Sequence, residues 1–210
     1  MFNFSSKTEI NKKFKLTDIF KQINASKEAK KDAMIIDSIF LKNLISPKTL
    51  NCSECEEIKE LYIFEINVSQ RNIPEVFIKE FDNSFKGQTL FLIKNDGYTY
   101  ALLAFKKGKL KNKYYSSNWD NKENFRIPLI PNVRELYKFI ISKFLPYSYF
   151  EKETIEEYIL RIEEIKKLEN KISKVKTKRD NEVQSKIRFE LNNEYKELCS
   201  LHESLLNEGE

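Results

Sequence analysis

All the thiol and imidazole groups of this chain fall into two short pairs, Cys52-x-x-Cys55 and Cys199-x-x-His202. Thiolate and imidazole ligands at such spacings make half of a tetrahedral zinc site, so a Cys3His zinc would close if the pairs met. Against this, Glu54, Glu56 and Glu57 crowd the first pair and no glycine assists either turn. The plainer expectation makes Cys199 a small residue in a helix seam and His202 a solvated one. A separate cluster, Lys106, Lys107, Lys109, Lys111 and Lys113, precedes Tyr114, Tyr115 and Trp119. A basic turn can neutralise phosphates while neighbouring aromatics stack on unpaired bases, so this stretch is a candidate nucleic-acid contact. The competing reading is a solvated loop beside strand aromatics that belong in a core.

Catalytic chemistry is poorly provided for. No GxxxxGK[ST] or GxGxxG phosphate loop occurs, and one histidine leaves little room for a histidine-based triad. Asp37 and Glu65, on successive strands followed by helix and strand, resemble the order of metal-dependent nuclease folds. Such sites hold a divalent ion with carboxylates and usually carry a Lys two residues on to activate water. The run Glu65-Ile66-Asn67 lacks that Lys, which favours ordinary solvent-facing strand residues. A non-catalytic role is expected, with a divergent nuclease as an alternative.

The elements that must position these residues follow from periodicity. Residues 16–23, LTDIFKQI, and 26–32, SKEAKKD, read as short helices, and 33–41, AMIIDSIFL, as a strand ending at a Ser46-Pro47 turn. Tyr62, Phe64, Ile66 and Val68 alternate onto one face of a strand over 60–68. Phe77, Phe81 and Phe85 recur every four residues, the stripe of a helix that Pro74 opens. Asn95-Asp96-Gly97 joins two further strands as a hairpin. Asn132 stands three residues before Glu135, a capping-box spacing for a helix over 132–145. Residues 1–146 therefore read as an α+β domain, a mostly antiparallel sheet with covering helices.

Beyond Pro146 the pattern changes. Residues 151–207 contain no proline or glycine, and apolar residues recur at helical spacing on both sides of KTKRDNE, residues 176–182. Two helices folded into an antiparallel hairpin, coiled-coil-like over 151–207, would bury both stripes; one long helix pairing with a second copy as a homodimer is the rival. Val183, Ile187, Leu191 and Leu198 form the apolar row of the second helix. Beside it Gln184, Arg188 and Asn192 recur at i, i+4, i+8. That polar ladder is a candidate partner-binding edge which would also fix register, or else a solvated edge.

Composition sets the outer bounds. The chain has 210 residues with 16 Phe and 10 Tyr, enough to build a core. Its net charge of +5 is uneven. Residues 151–210 hold 12 basic against 15 acidic side chains (−3), leaving 25 against 17 (+8) for residues 1–150. A basic body could attract nucleic acid. No apolar run approaches the ~20 residues of a membrane span, and the start lacks a secretory signal, so no membrane association and a cytoplasmic location are expected.

The stretches FNFSSKTEINKKFKLTDIF, LISPKTLN ahead of ELYIFEINV, and EVQSKIRFELNNEYKEL near the end together resemble a bacterial domain-of-unknown-function family numbered 4391. Glu182-x-Gln184 and Glu190-Leu191-Asn192 carry the most specific part of the likeness, while Ser185 and Lys186 depart from it. The resemblance implies a small accessory protein encoded beside helicases and DNA methyltransferases of restriction or phage-defence type, with no catalytic residues to transfer. On that basis the expected partner is a helicase or DNA methyltransferase subunit, with DNA as a further expected partner.

Overall fold

A computed structural model describes residues 2–55, 57–110, 113–120, 127 and 130–207. Lys111 and the side chain of Lys109 lie outside the described residues. The chain divides into two compact units, one ending at Phe144 and one beginning at Leu145.

In the first unit, strands β1 (Glu9–Phe14), β2 (Ile36–Ile45), β3 (Leu61–Val68), β4 (Gln88–Asn95), β5 (Tyr98–Phe105) and β6 (Lys113–Ser116) lie side by side in sequence order. All neighbours are antiparallel except β3 and β4, which run parallel. The parallel step needs a crossover, and helix α4 (Glu75–Asp82) supplies it. Helices α1 (Leu16–Gln22) and α2 (Lys27–Asp32) separate β1 from β2, and the short α3 (Pro47–Leu50) follows β2. Ser46-Pro47 thus opens a helical turn, with Ser46 and Thr49 bonding each other's backbone N–H, as well as closing the strand. Between β4 and β5, Asp96 and Gly97 both take positive φ, 45° and 81°, the requirement of a two-residue hairpin turn. Gly87 is a close approach: a Cβ there would meet the Tyr62 ring at 2.8 Å.

The sheet has two unlike faces. On one, Phe64, Ile66, Phe91 and Ile93 pack with Phe77, Ile78 and Phe81 of α4, and with Ile19 and Ala29 of α1 and α2. The Phe64 ring lies 4.9–6.2 Å from those of Phe14, Phe81, Phe85 and Phe91. On the other face, helix α5 (Val133–Ile141) lays Tyr137 against Phe105, and the Tyr137 hydroxyl donates to the Ala104 carbonyl at 2.7 Å. Asn132 caps α5 by accepting from Glu135 N–H at 2.9 Å.

The second unit is a helical hairpin. Helix α6 (Ile155–Asn181) begins at a reciprocal cap, Thr154 accepting from Glu157 N–H and Glu157 from Thr154 N–H. Helix α7 (Ser185–Asn207) returns against it, with Leu168, Val175 and Leu198 buried in the seam and Ile172, Leu191, Tyr195 and Leu205 packed on them. The turn falls at 182–184; Asp180 and Asn181 remain helical. The architecture is α+β with a hairpin appended.

Candidate functional site

Three regions contain grouped polar or unpartnered side chains. The first replaces the expected basic turn. Lys106 points inward: its Nζ lies 2.6 Å from Asp82 Oδ1 and donates to the carbonyls of Asp82 and Phe85. Asp82 is fully buried and also accepts from the hydroxyls of Thr89 and Tyr114. Burial pushes the Lys106 pKa down, and the Asp82 charge pulls it back up. Burial, then Asp82, holds the Tyr114 phenol well above its usual range. These groups tie the end of α4 to β4, β5 and β6. Trp119 packs on Tyr100 at 5.6 Å between ring centroids, among residues of the α4-side core. Lys107 Nζ reaches the Glu57 carbonyl at 3.4 Å, and Lys113 and Tyr115 sit half-buried on β6. A phosphate approaching this turn would not find Lys106.

The second region is the uncovered end of the α5-side face, at the carboxyl ends of the parallel strands β3 and β4. Register places Phe40, Glu65 and Leu92 in one row across β2, β3 and β4, with Ser38, Asn67, Lys94 and Thr99 in the next. Glu65 and Lys94 form an ion pair at 2.6 Å, and Asn67 donates to Ser38 at 2.9 Å. A cavity of about 500 Å³, open to solvent, is lined here by Phe4, Glu9, Lys42, Asn43, Glu65 and Lys94, among others. Asp37 does not join Glu65: it is exposed on β2, and the strand residue opposite Glu65 is Phe40. Lys94 instead stands beside position 67, where the Lys was missing from β3. Nothing in one strand's sequence could reveal this, because the amine comes from the next strand.

The third region is the hairpin. At its base Arg161 is buried and reads four partners. Its guanidinium bonds both Glu153 oxygens at 2.7 and 2.9 Å, the Ser148 carbonyl at 2.9 Å and the Leu205 carbonyl at 3.4 Å, and lies 3.7 Å from the Phe150 ring centroid. At the other end every residue from 183 to 190 is exposed. Val183 and Ile187 keep 92% and 38% of their surface in solvent, where helical spacing predicts a buried row, and Phe189 beside them keeps 66%. Residues 171–188 carry seven basic side chains against two acidic ones. Of the polar ladder, Asn192 accepts from Arg179 of α6 at 3.3 Å. Gln184 precedes the helix, its carbonyl accepting from Arg188 N–H, and both side chains are exposed.

The two Cys/His pairs belong to different units. Cys52 and Cys55 sit half-buried after α3, while Cys199 and His202 lie on α7, His202 being 3.6 Å from Glu169. Among the described residues no group of three or more His, Cys, Asp or Glu side chains converges to hold a metal ion. No described helix is long and apolar enough to cross a membrane.

Sheet, crossover and hairpin define a mixed-sheet α+β protein with a two-helix element and a polar sheet face. A family model described as a domain of unknown function, DUF4391, matches residues 2–200, and the chain belongs to that family. No curated protein and no solved structure matches it.

Proposed function

We propose that this chain is a cytoplasmic, non-catalytic accessory subunit of a bacterial restriction or phage-defence assembly, docking a helicase or DNA methyltransferase subunit through its helical hairpin. One observation carries the reading: eight consecutive exposed residues at the hairpin turn include Val183, Ile187 and Phe189. Large apolar side chains on a turn and the first turns of a helix, with nothing over them, are what a partner groove takes up. The surrounding positive charge favours a partner surface of opposite sign. The test is co-purification of the full chain from its native host. Val183→Ser with Phe189→Ser should release the helicase or methyltransferase subunit while the helical content stays constant; retention of that subunit would sink the reading.

A second reading, a divergent metal-dependent nuclease, draws support from the Glu65–Lys94 pair beside the parallel strands. Glu9 and Glu65 share the cavity and would hold the ion, with water and a substrate phosphate completing its shell. It requires magnesium-dependent cleavage of DNA or RNA that disappears in Glu65→Ala.

A further inference from the structure

The open sheet face presents an aromatic ring framed by ammonium groups. Phe40, half-exposed on β2, has Lys13 Nζ 5.7 Å and Lys42 Nζ 5.9 Å from its ring centroid. Lys13 on β1 is the direct strand partner of Phe40, and Glu65 is its partner on the other side. Glu65 in turn holds Lys94 at 2.6 Å, so the third ammonium has a fixed position over β4. Phe4 adds a second ring to the cavity lined by Lys42 and Lys94. Strands lie about 4.8 Å apart, so Lys13 on β1 and Lys94 on β4 are separated by roughly 14 Å across the face.

We propose that this face binds single-stranded nucleic acid, with bases stacking on Phe40 and Phe4 and phosphates neutralised by Lys13, Lys42 and Lys94. Three considerations select that ligand. Half-exposed aromatic rings on a sheet take up unstacked bases, which a duplex does not offer; a four-strand face holds two or three such bases. The interleaved lysines match a repeating backbone charge, and residues 1–150 carry a net +8. Glu65, the Asn67 amide and the Ser38 hydroxyl lie beside the lysines and can exchange hydrogen bonds with base edges, which an acidic peptide lacks. Lys106 takes no part, since it is buried against Asp82, whereas the Lys94 side chain stays 42% exposed beside Glu65. The inference concerns binding and needs no metal, so it does not rest on the nuclease reading although the two share one cavity.

The experiment is fluorescence anisotropy of the full chain with labelled mixed-sequence single-stranded DNA and RNA, in EDTA, over a salt series. EDTA separates binding from metal-dependent cleavage, and the hairpin variants Val183→Ser and Phe189→Ser separate it from docking. Single strands should bind more tightly than duplex, with affinity falling steeply as salt rises. Phe40→Ala should weaken binding about tenfold or more, while Phe40→Trp retains it. Lys42→Ala and Lys94→Ala should each lower the log–log salt slope by about 0.7. Lys42→Glu, a change at a half-buried lysine outside the core, should weaken binding further. Absence of binding at low salt, tighter binding to duplex, or indifference to both Phe40→Ala and Lys42→Glu would overturn the proposal.

Discussion

The sheet unit and the hairpin keep their order by opposite means. In the sheet unit both faces bury side chains, and rings interlock on all sides of Phe64. The hairpin has one seam, in which Leu168, Val175 and Leu198 are buried, and relies at its base on a buried ion pair and two carbonyls gathered by Arg161. A two-layer domain distributes its cohesion over an area; two helices distribute theirs along a line, which can run out before the helices do. Here it runs out near the turn, where eight residues stand clear of any cover. Cohesion at one end and exposure at the other is the arrangement on which the proposed docking role rests.

The difference can be broken first at each anchor. Phe64→Ala removes a ring that touches four others and should cost about 3–5 kcal/mol, lost as one cooperative transition in the sheet unit. Arg161→Ala leaves Glu153, 8% exposed, without its cation, and removal of one partner from a buried pair costs about 3–5 kcal/mol. That loss should appear in the hairpin alone, as melted helix and fast amide exchange over 155–207 with protection of β3 and β4 unchanged. If β3 and β4 lose protection as well, the two units are one cooperative body and the contrast fails.

A smaller effect comes with alkali. Burial, opposed in part by Arg161, raises the Tyr158 phenol in the hairpin to about 12, and burial with the Glu60 hydrogen bond raises Tyr62 in the sheet unit to about 12. A raised folded-state value means the stability is fully present below the unfolded value near 10 and is lost as pH climbs through the folded value. Both units should therefore weaken between about pH 10 and 12. Tyr158→Phe, which also forfeits the bond to the Tyr147 carbonyl, should flatten the hairpin's share of that loss while leaving the sheet unit's intact. Tyrosinate absorbance against helical ellipticity separates the two.

Much of this architecture was readable from residue spacing, and the gaps have physical causes. Alternation at 62–68, the Phe77/Phe81 stripe and Asn95-Asp96-Gly97 each report a local requirement, so β3, α4 and the β4–β5 turn were plain. Strand β1 was not, because EINKKF is an edge strand with solvent on one side and charged residues throughout, which blunts edge pairing and erases alternation. KTKRDNE reads as the hairpin turn because it lacks apolar anchors, yet it stays helical as far as Asn181; a helix extending past its seam has no need of them. Lys106 departs from its expected solvated position for a related reason. A lysine run looks uniformly solvated, and only the fold shows which member finds a buried carboxylate 24 residues away. The Glu65–Lys94 pair required knowing that β4 lies parallel to β3.

The sharpest division between the units comes from the change with the smallest structural cost. Phe189 is 66% exposed and Val183 92%, so replacing either with Ser removes little buried surface and should shift stability by no more than about 0.5 kcal/mol. An exposed aromatic of the core type would behave otherwise only if something covered it. If the tip is free in the isolated chain, Phe189→Ser leaves thermal unfolding unchanged and abolishes partner capture, so stability and assembly separate. If instead two copies cover each other's tips, the same variant lowers the midpoint in a concentration-dependent way and converts a dimer to a monomer by light scattering. A helix face made for another molecule is distinguished from one made for its own core by that separation alone: the first changes what the protein holds, the second changes whether it holds together.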